Sequence, residues 1–240
     1  MDPKNRVRDT LANTTALAHL DARLPMRRHI KARFPELKVN RLKETFCTDT
    51  MFASTKSIEG YTCVQLFVGK KSKYNEVYGM RTESQGLDSL KDFIRDIGAP
   101  YNLHNDNAKM QTSKAWDEIL RTYNISQTTT ELYSPWQELA EQRIQDLKNL
   151  SKQLLDWGGA DDRLWYLALK YASHMWNKLA DASLNGKTPT EAALGDTPDI
   201  SDLLQFTFNE AVYYHTPNAP YPASGEELGN FCRCRRVKWR

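Results

Sequence analysis

Three carboxylates have local contexts that suit metal chemistry: Asp49, Asp106 and Glu141. Asp49 stands in Thr45-Phe46-Cys47-Thr48-Asp49-Thr50-Met51-Phe52, a run with the composition of a strand. Asp106 follows Tyr101-Asn102-Leu103-His104-Asn105, a short strand that opens into a turn. Glu141 belongs to Ser134-Pro135-Trp136-Gln137-Glu138-Leu139-Ala140-Glu141, the start of a long helical pattern. Hard divalent cations take oxygen ligands, and Mg²⁺ commonly uses only one or two protein carboxylates per ion. Carboxylates from three elements could hold two ions roughly 3.5–4 Å apart, an arrangement that clamps both oxygens of an in-line phosphoryl displacement. The chemistry this suggests is cleavage or transfer of nucleic-acid phosphodiesters.

Positioning these groups needs strands and helices in a definite order. Strands are predicted over 44–52, 61–69 and 73–80, segments rich in Val, Phe, Tyr, Thr and Cys. A helix over 84–97 carries Leu87, Leu90, Phe93, Ile94 and Ile97 at helical spacing and is closed by Gly98. A strand over 101–104 leads to Asp106, a helix over 110–123 buries Trp116, Ile119, Leu120 and Tyr123, and 125–130 reads as a fifth strand. The Glu141 helix is the best marked. Ser134 suits the N-cap, Pro135 the first helical position, and Gln137 completes a capping box. Ala140, Ile144, Leu147 and Leu154 form its apolar stripe, and Gly158-Gly159 ends it. Gln137, Glu141, Gln145 and Lys148 fall on a neighbouring polar face. An apolar-rich helix over 162–181 and a strand over 208–215 complete the reading.

The strings Thr48-Asp49-Thr50, Leu103-His104-Asn105-Asp106-Asn107-Ala108 and Ser134-Pro135-Trp136-Gln137-Glu138-Leu139-Ala140-Glu141 resemble the Asp, Asp, Glu triad of retroviral and retrotransposon integrases. The likeness looks nearest to copia-type elements, particularly those of algal and diatom genomes. The Asp106–Glu141 gap of 34 intervening residues is close to the retroviral spacing. Likeness extends from about Thr45 to His215 and includes Gly186-Lys187-Thr188-Pro189-Thr190-Glu191 and Thr197-Pro198-Asp199-Ile200-Ser201. Glu138 departs from it, since these elements usually carry Asn there. So does the tail, Phe231 to Arg240, which does not look like a continuation of such polyproteins.

The resemblance implies an α/β chain of ribonuclease H-like type, with a mixed five-stranded sheet flanked by helices. It implies DNA integration: trimming of element ends, then their joining to target DNA at one site. Asp49, Asp106 and Glu141 would be both catalytic residues and metal ligands, for two Mg²⁺ (or Mn²⁺) ions. Lys109, Gln145 and Lys148 are the candidates to contact nucleic acid. The expected partners are DNA and further copies of the chain, with no membrane. The expected division is a basic connector over 1–42, a catalytic core over 43–182 and a loop-rich extension with a basic tail over 183–240. The alternative is an inactive or domesticated integrase fragment that binds nucleic acid or has a structural role. The upstream zinc module of such enzymes is not supplied by this sequence: His19 and His29 are too far apart for a one-face helical pair, and no Cys-x-x-Cys follows. A ribonuclease H or a junction nuclease would share the fold, but the Ser-Pro-Trp-Gln string and the helix-borne Glu favour an integrase.

Composition bounds the class. With 40% apolar and 26% charged residues and a mean hydropathy of −0.66, the chain reads as globular. No apolar run approaches the ~18–20 residues of a membrane span, and the polar, basic beginning is unlike a secretory signal. Four cysteines (Cys47, Cys63, Cys232, Cys234), two of them inside strand-like segments, form no disulfide framework and suggest an intracellular setting. The nucleus would follow from the function. The net charge is only +3, but residues 1–45 carry eleven Lys/Arg against five Asp/Glu. The last ten residues carry five basic side chains and no acid. Basic ends on a near-neutral body suit a phosphate-backbone partner.

Overall fold

Five strands form one sheet in the order β3-β2-β1-β4-β5, in a computed structural model describing residues 2–16, 39–105, 113–129, 135–215 and 226–232. They are β1 (Arg41–Phe52), β2 (Cys63–Gly69), β3 (Asn75–Met80), β4 (Ala99–Asn105) and β5 (Ser126–Thr129). The β2 strand runs antiparallel to both its neighbours, β1 and β3, and β1, β4 and β5 are mutually parallel. The sheet is therefore mixed, as the resemblance implied. Every residue of β2 is buried, as it must be where helices cover both faces.

Alternation along β2 divides its side chains between two cores. Phe67 points to one face, where α2 (Gly86–Asp96) and α3 (Lys114–Thr122) lie. Its ring stacks on Phe93 at 4.4 Å, and Trp116 and Leu103 fill the space beside them. Val64, Leu66 and Val68 point to the other face, against α4 (Pro135–Trp157) and α5 (Trp165–Lys178). The α4 helix lies along β1 and β2, while α5 lies along β3. The Tyr166 hydroxyl accepts the Gly79 N–H at 3.0 Å. Asn177 of α5 accepts from the Asn75 backbone and amide, at 2.9 and 3.0 Å.

Local signals explain most boundaries. The Ser113 hydroxyl accepts from the Trp116 N–H, which starts α3 at Lys114. Gly98 has φ 141°, and a Cβ there would stand 2.5 Å from the Asn40 carbonyl oxygen. Only glycine allows α2 to turn so tightly into β4. The α4 helix ends at Trp157 as expected, with Gly159 at φ 55° and the Ala160 N–H returning to Leu155 O at 2.9 Å.

Three segments differ from the sequence reading. The amino-terminal helix, α1 (Pro3–Ala12), begins well before the weak helical pattern that the sequence shows around Leu11 to Leu20, because Asp2 caps the Lys4 N–H and Pro3 occupies the first position. The helix docks through the Thr10 hydroxyl, which accepts from the Ala180 N–H at 2.9 Å. The strand β1 begins at Arg41, three residues before the expected start, and is parallel to Ala99 there. The extension over 183–240 holds α6 (Pro189–Leu194), α7 (Ser201–Gln205) and a hairpin, β6 (Glu210–His215) with β7 (Glu226–Phe231). No strand is foreseen at β7, since Glu-Glu-Leu-Gly-Asn-Phe lacks alternation and β-branched residues. Phe231 is nevertheless buried, packed near Phe206 and Tyr171. Cys47, Cys63 and Cys232 are free thiols, and Cys234 lies outside the described residues.

Candidate functional site

Asp49 sits in the central strand, directly opposite Leu66 of β2. The pairing is regular from Phe46 to Phe52, so side chains alternate strictly there. Asp49 therefore shares its sheet face with Leu66 and Met51. Both belong to the core cluster that contains Leu147 and Leu154 of α4. The Asp49 carboxylate thus stands on the side of the sheet that carries α4. It is half-buried, and its Oδ1 accepts from the Thr50 N–H at 2.7 Å.

The opposite face of the same stretch is held by a polar network that the sequence reading missed. Gln65 is fully buried. Its amide donates to the Thr48 hydroxyl at 2.6 Å and accepts from the Thr50 hydroxyl at 2.9 Å. The Thr48 hydroxyl donates in turn to the Leu66 carbonyl at 2.9 Å. These bonds fix the two residues that flank Asp49, and with them the direction of its carboxylate. Only the alternation Thr48-Asp49-Thr50 hinted at this in the sequence.

On the other side of β1, β4 runs parallel, with Cys47 beside His104 and Thr48 beside Asn105. Asn105 is the last described residue before Asp106. Asp106 and Lys109 lie outside the described residues. His104 shares a face with Cys47 and so with Asp49, and its Nδ1 is 2.9 Å from the Thr128 hydroxyl of β5. Burial, with help from nearby Lys70, lowers the His104 pKa. Burial also pushes the Cys47 thiol up to about 11, against a smaller pull from Lys70. Both groups are neutral at pH 7, so the face around Asp49 does not gain a cationic imidazole or a thiolate.

Glu141 lies in the first third of α4 and is exposed. Its neighbour Ala140 is buried, as are Leu147 and Leu154, which fasten the helix to the sheet. Gln145 and Lys148 are displaced from Glu141 by four and seven residues, which brings all three to one side of the helix. Gln145 is exposed and donates to Asn149 Oδ1 at 3.1 Å, and Lys148 is half-buried. The side chain of Gln137 is outside what is described. Arg143, not singled out in the sequence, is buried on another side of α4. The structure thus brings Asp49 and the Glu141 helix to the same side of the sheet. Among the described residues, no three or more His, Cys, Asp or Glu side chains are grouped to hold a metal. The donors expected for one, Asp49 and Glu141, are carboxylates and suit a hard cation. No helix among the described residues is long and apolar enough to cross a membrane.

No family model matches the chain. No curated protein matches it either. Solved structures do. The integrase catalytic core domain of HTLV-2, in complex with magnesium and in a trimeric form, superposes with a TM-score of 0.51 at 22% identity. The match covers 63% of this chain and 96% of that one. The dimeric form of the same domain gives 0.50 at 23% identity, covering 62% and 94%. The integrase catalytic core domain of BIV gives 0.52 at 22% identity, covering 64% and 95%. The mixed five-stranded sheet flanked by helices is the ribonuclease H-like fold of these integrase cores.

Proposed function

We propose that the chain carries out metal-dependent phosphodiester transfer on DNA, of the kind integrases perform, with Asp49, Asp106 and Glu141 as its catalytic carboxylates. The observation that carries this reading is Asp49, projecting from the central strand on the sheet face that the Glu141 helix covers. The three carboxylates would hold two Mg²⁺ (or Mn²⁺) ions, whose chemistry is to activate a water or DNA 3′-hydroxyl and to stabilise the departing 3′-oxygen. The protein's own contribution is position. The Thr50 N–H holds one Asp49 oxygen, and the Gln65 network keeps the strand from shifting. The apolar stripe of α4 fixes the height of Glu141 along the sheet. Gln145 and Lys148, one and two turns beyond Glu141, together with Lys109, would hold backbone phosphates or bases beside the carboxylates. No nucleophilic side chain is required.

The wider reading follows from the same proposal. The core over 43–182 does the chemistry, while the basic segments over 1–42 and at the tail add phosphate contacts. DNA is the partner, copies of the chain assemble on it, and the element is of copia type, acting in the nucleus. The dimeric and trimeric forms of the HTLV-2 core support assembly as an expectation for this chain.

The test is resolution of a branched DNA substrate by the full chain with Mg²⁺ or Mn²⁺, compared with Glu141→Gln. Metal-dependent strand resolution that vanishes in the variant supports the reading. Folded protein that binds the metal yet resolves nothing overturns it in favour of a fragment that only binds nucleic acid. Failure to bind metal removes the three-carboxylate site altogether.

A further inference from the structure

Arg143 follows Glu141 by two residues, about 200° around the helix, so it leaves α4 on a different side from the proposed reaction site. It is 6% exposed. Its guanidinium lies over the Trp176 ring of α5, with 4.1 Å to the ring centroid. Arg6 of α1 approaches the same ring at 5.6 Å. Two cations thus share one indole, and Arg6 adds to the burial that pulls the Arg143 pKa down to about 10. Arg143 remains charged at neutral pH.

No acceptor in the described residues meets the Nε or Nη1 of Arg143, and the Nε of Arg6 is likewise buried without one. Asp146 and Asp181 act on Arg143 electrostatically, but neither forms an ion pair with it. The Oδ1 of Asp181 is already held by the N–H and hydroxyl of Ser183, each at 2.8 Å. A cavity of about 200 Å³ opens at this point. Lys73, Gln142, Arg143, Asp146, Trp176 and Asp181 line it. Lys73 reaches it from the turn between β2 and β3. Two cations, Lys73 and Arg143, and two carboxylates, Asp146 and Asp181, share the lining, and Arg6 adds a further cation at the indole. Asp146 and Asp181 supply nearby counter-charge but no acceptor for these N–H groups, and a buried donor left without one is costly.

We propose that this cavity binds a small oxyanion, a phosphoryl group, with Arg143 as the principal contact and Lys73 as the second. Guanidinium suits this role because its planar donors match phosphate geometry and its stacking on Trp176 fixes their direction. Gln142 adds a neutral donor at the rim. The phosphoryl group could come from free phosphate or from the phosphorylated end of a polynucleotide. The site lies apart from Asp49 and Glu141 and does not depend on their chemistry.

Isothermal titration with inorganic phosphate, at ionic strength held constant with chloride, tests this on the full chain. Saturable one-site binding is expected, weakened about tenfold or more in Arg143→Met, as loss of a charge-assisted contact entails. A weakening of about threefold is expected in Lys73→Met. A short oligonucleotide with and without a 5′-phosphate separates the two sources. Preference for the phosphorylated strand that disappears in Arg143→Met assigns the site to polynucleotide ends, and equal binding of both strands assigns it to free phosphate. Absence of saturable phosphate binding overturns the proposal, as does binding that neither substitution changes. Should Arg143→Met fail to fold by circular dichroism, Lys73→Met decides alone.

Discussion

Gln65 is completely buried in the middle of β2, yet it is a polar residue whose amide is spent on Thr48 and Thr50. Replacing it with leucine keeps the volume but takes the acceptor from the Thr50 hydroxyl and leaves Thr48 only its bond to the Leu66 carbonyl. The cost of leaving buried polar groups unpaired is about 1–3 kcal/mol. A Gln65→Leu chain should therefore lose stability by about that amount, read as a lower urea midpoint with an unchanged slope. A loss under about 0.5 kcal/mol would show that the network does not hold β1 in place. Glu141 presents the opposite case. It is exposed, so Glu141→Gln should leave the urea midpoint nearly unchanged while abolishing strand resolution. That separation is what distinguishes a chemical role from a structural one. Asp49 and Glu141 were legible in the sequence because the strings around them have a strand and a helix-start character of their own. Gln65 and Arg143 were not. Glutamine and arginine usually lie at the surface, and only the pairing of β2 with β1 and the placing of Trp176 under α4 make these two interior.

At the scale of elements, α5 and α7 are joined by a buried ionic cluster. Asp202 is 8% exposed; its Oδ1 accepts from Lys178 Nζ at 2.6 Å, and its Oδ2 lies 2.7 Å from His174 Nε2. Burial alone would raise the Asp202 pKa, but the hydrogen bonds from His174 and Lys178 outweigh it and hold the carboxyl well below its ordinary 3.8. A carboxylate depressed in the folded state contributes stability that is fully present above the unfolded pKa and is lost as the pH falls through the folded one. Asp202→Asn should thus destabilise the chain by about 3 kcal/mol at pH 7, because it removes the buried carboxylate that Lys178 and His174 share. The gap between the two proteins should narrow below pH 4. Urea midpoints at pH 7, 4 and 3 read this directly, and a gap independent of pH would refute the role given to Asp202. The elements themselves were unevenly legible. The α2 and α4 helices announced themselves through apolar spacing and terminal glycines. The β7 strand did not, because it is held by pairing with β6 and by one buried ring, Phe231, and not by any pattern of its own. Phe231, the first residue of the tail set apart in the sequence, is therefore part of the folded core.

For the whole molecule, charge placement matters more than net charge. If the chain binds DNA as proposed, a body near neutrality with basic ends would do so through a few separated contacts, each of which releases counterions. If the tail supplies such contacts, a chain ending at Cys232, which lacks Arg233, Arg235, Arg236, Lys238 and Arg240, should bind duplex DNA with a shallower salt dependence. Each phosphate contact removed lowers the slope of log affinity against log salt by about 1. Fluorescence anisotropy with a labelled duplex between about 50 and 200 mM chloride spans the range where a change of this size is measurable. A slope shallower by about 2 or more would make the tail a principal DNA-binding element. An unchanged slope would leave the body and the amino-terminal segment to supply all of the attraction. The truncation leaves Phe231 and its packing intact, so a change in slope reads charge and not folding. It also leaves Asp49 and Glu141 untouched. Strand resolution at low salt should then survive the truncation and fall away sooner as salt is raised, which links the placement of charge to the chemistry it serves.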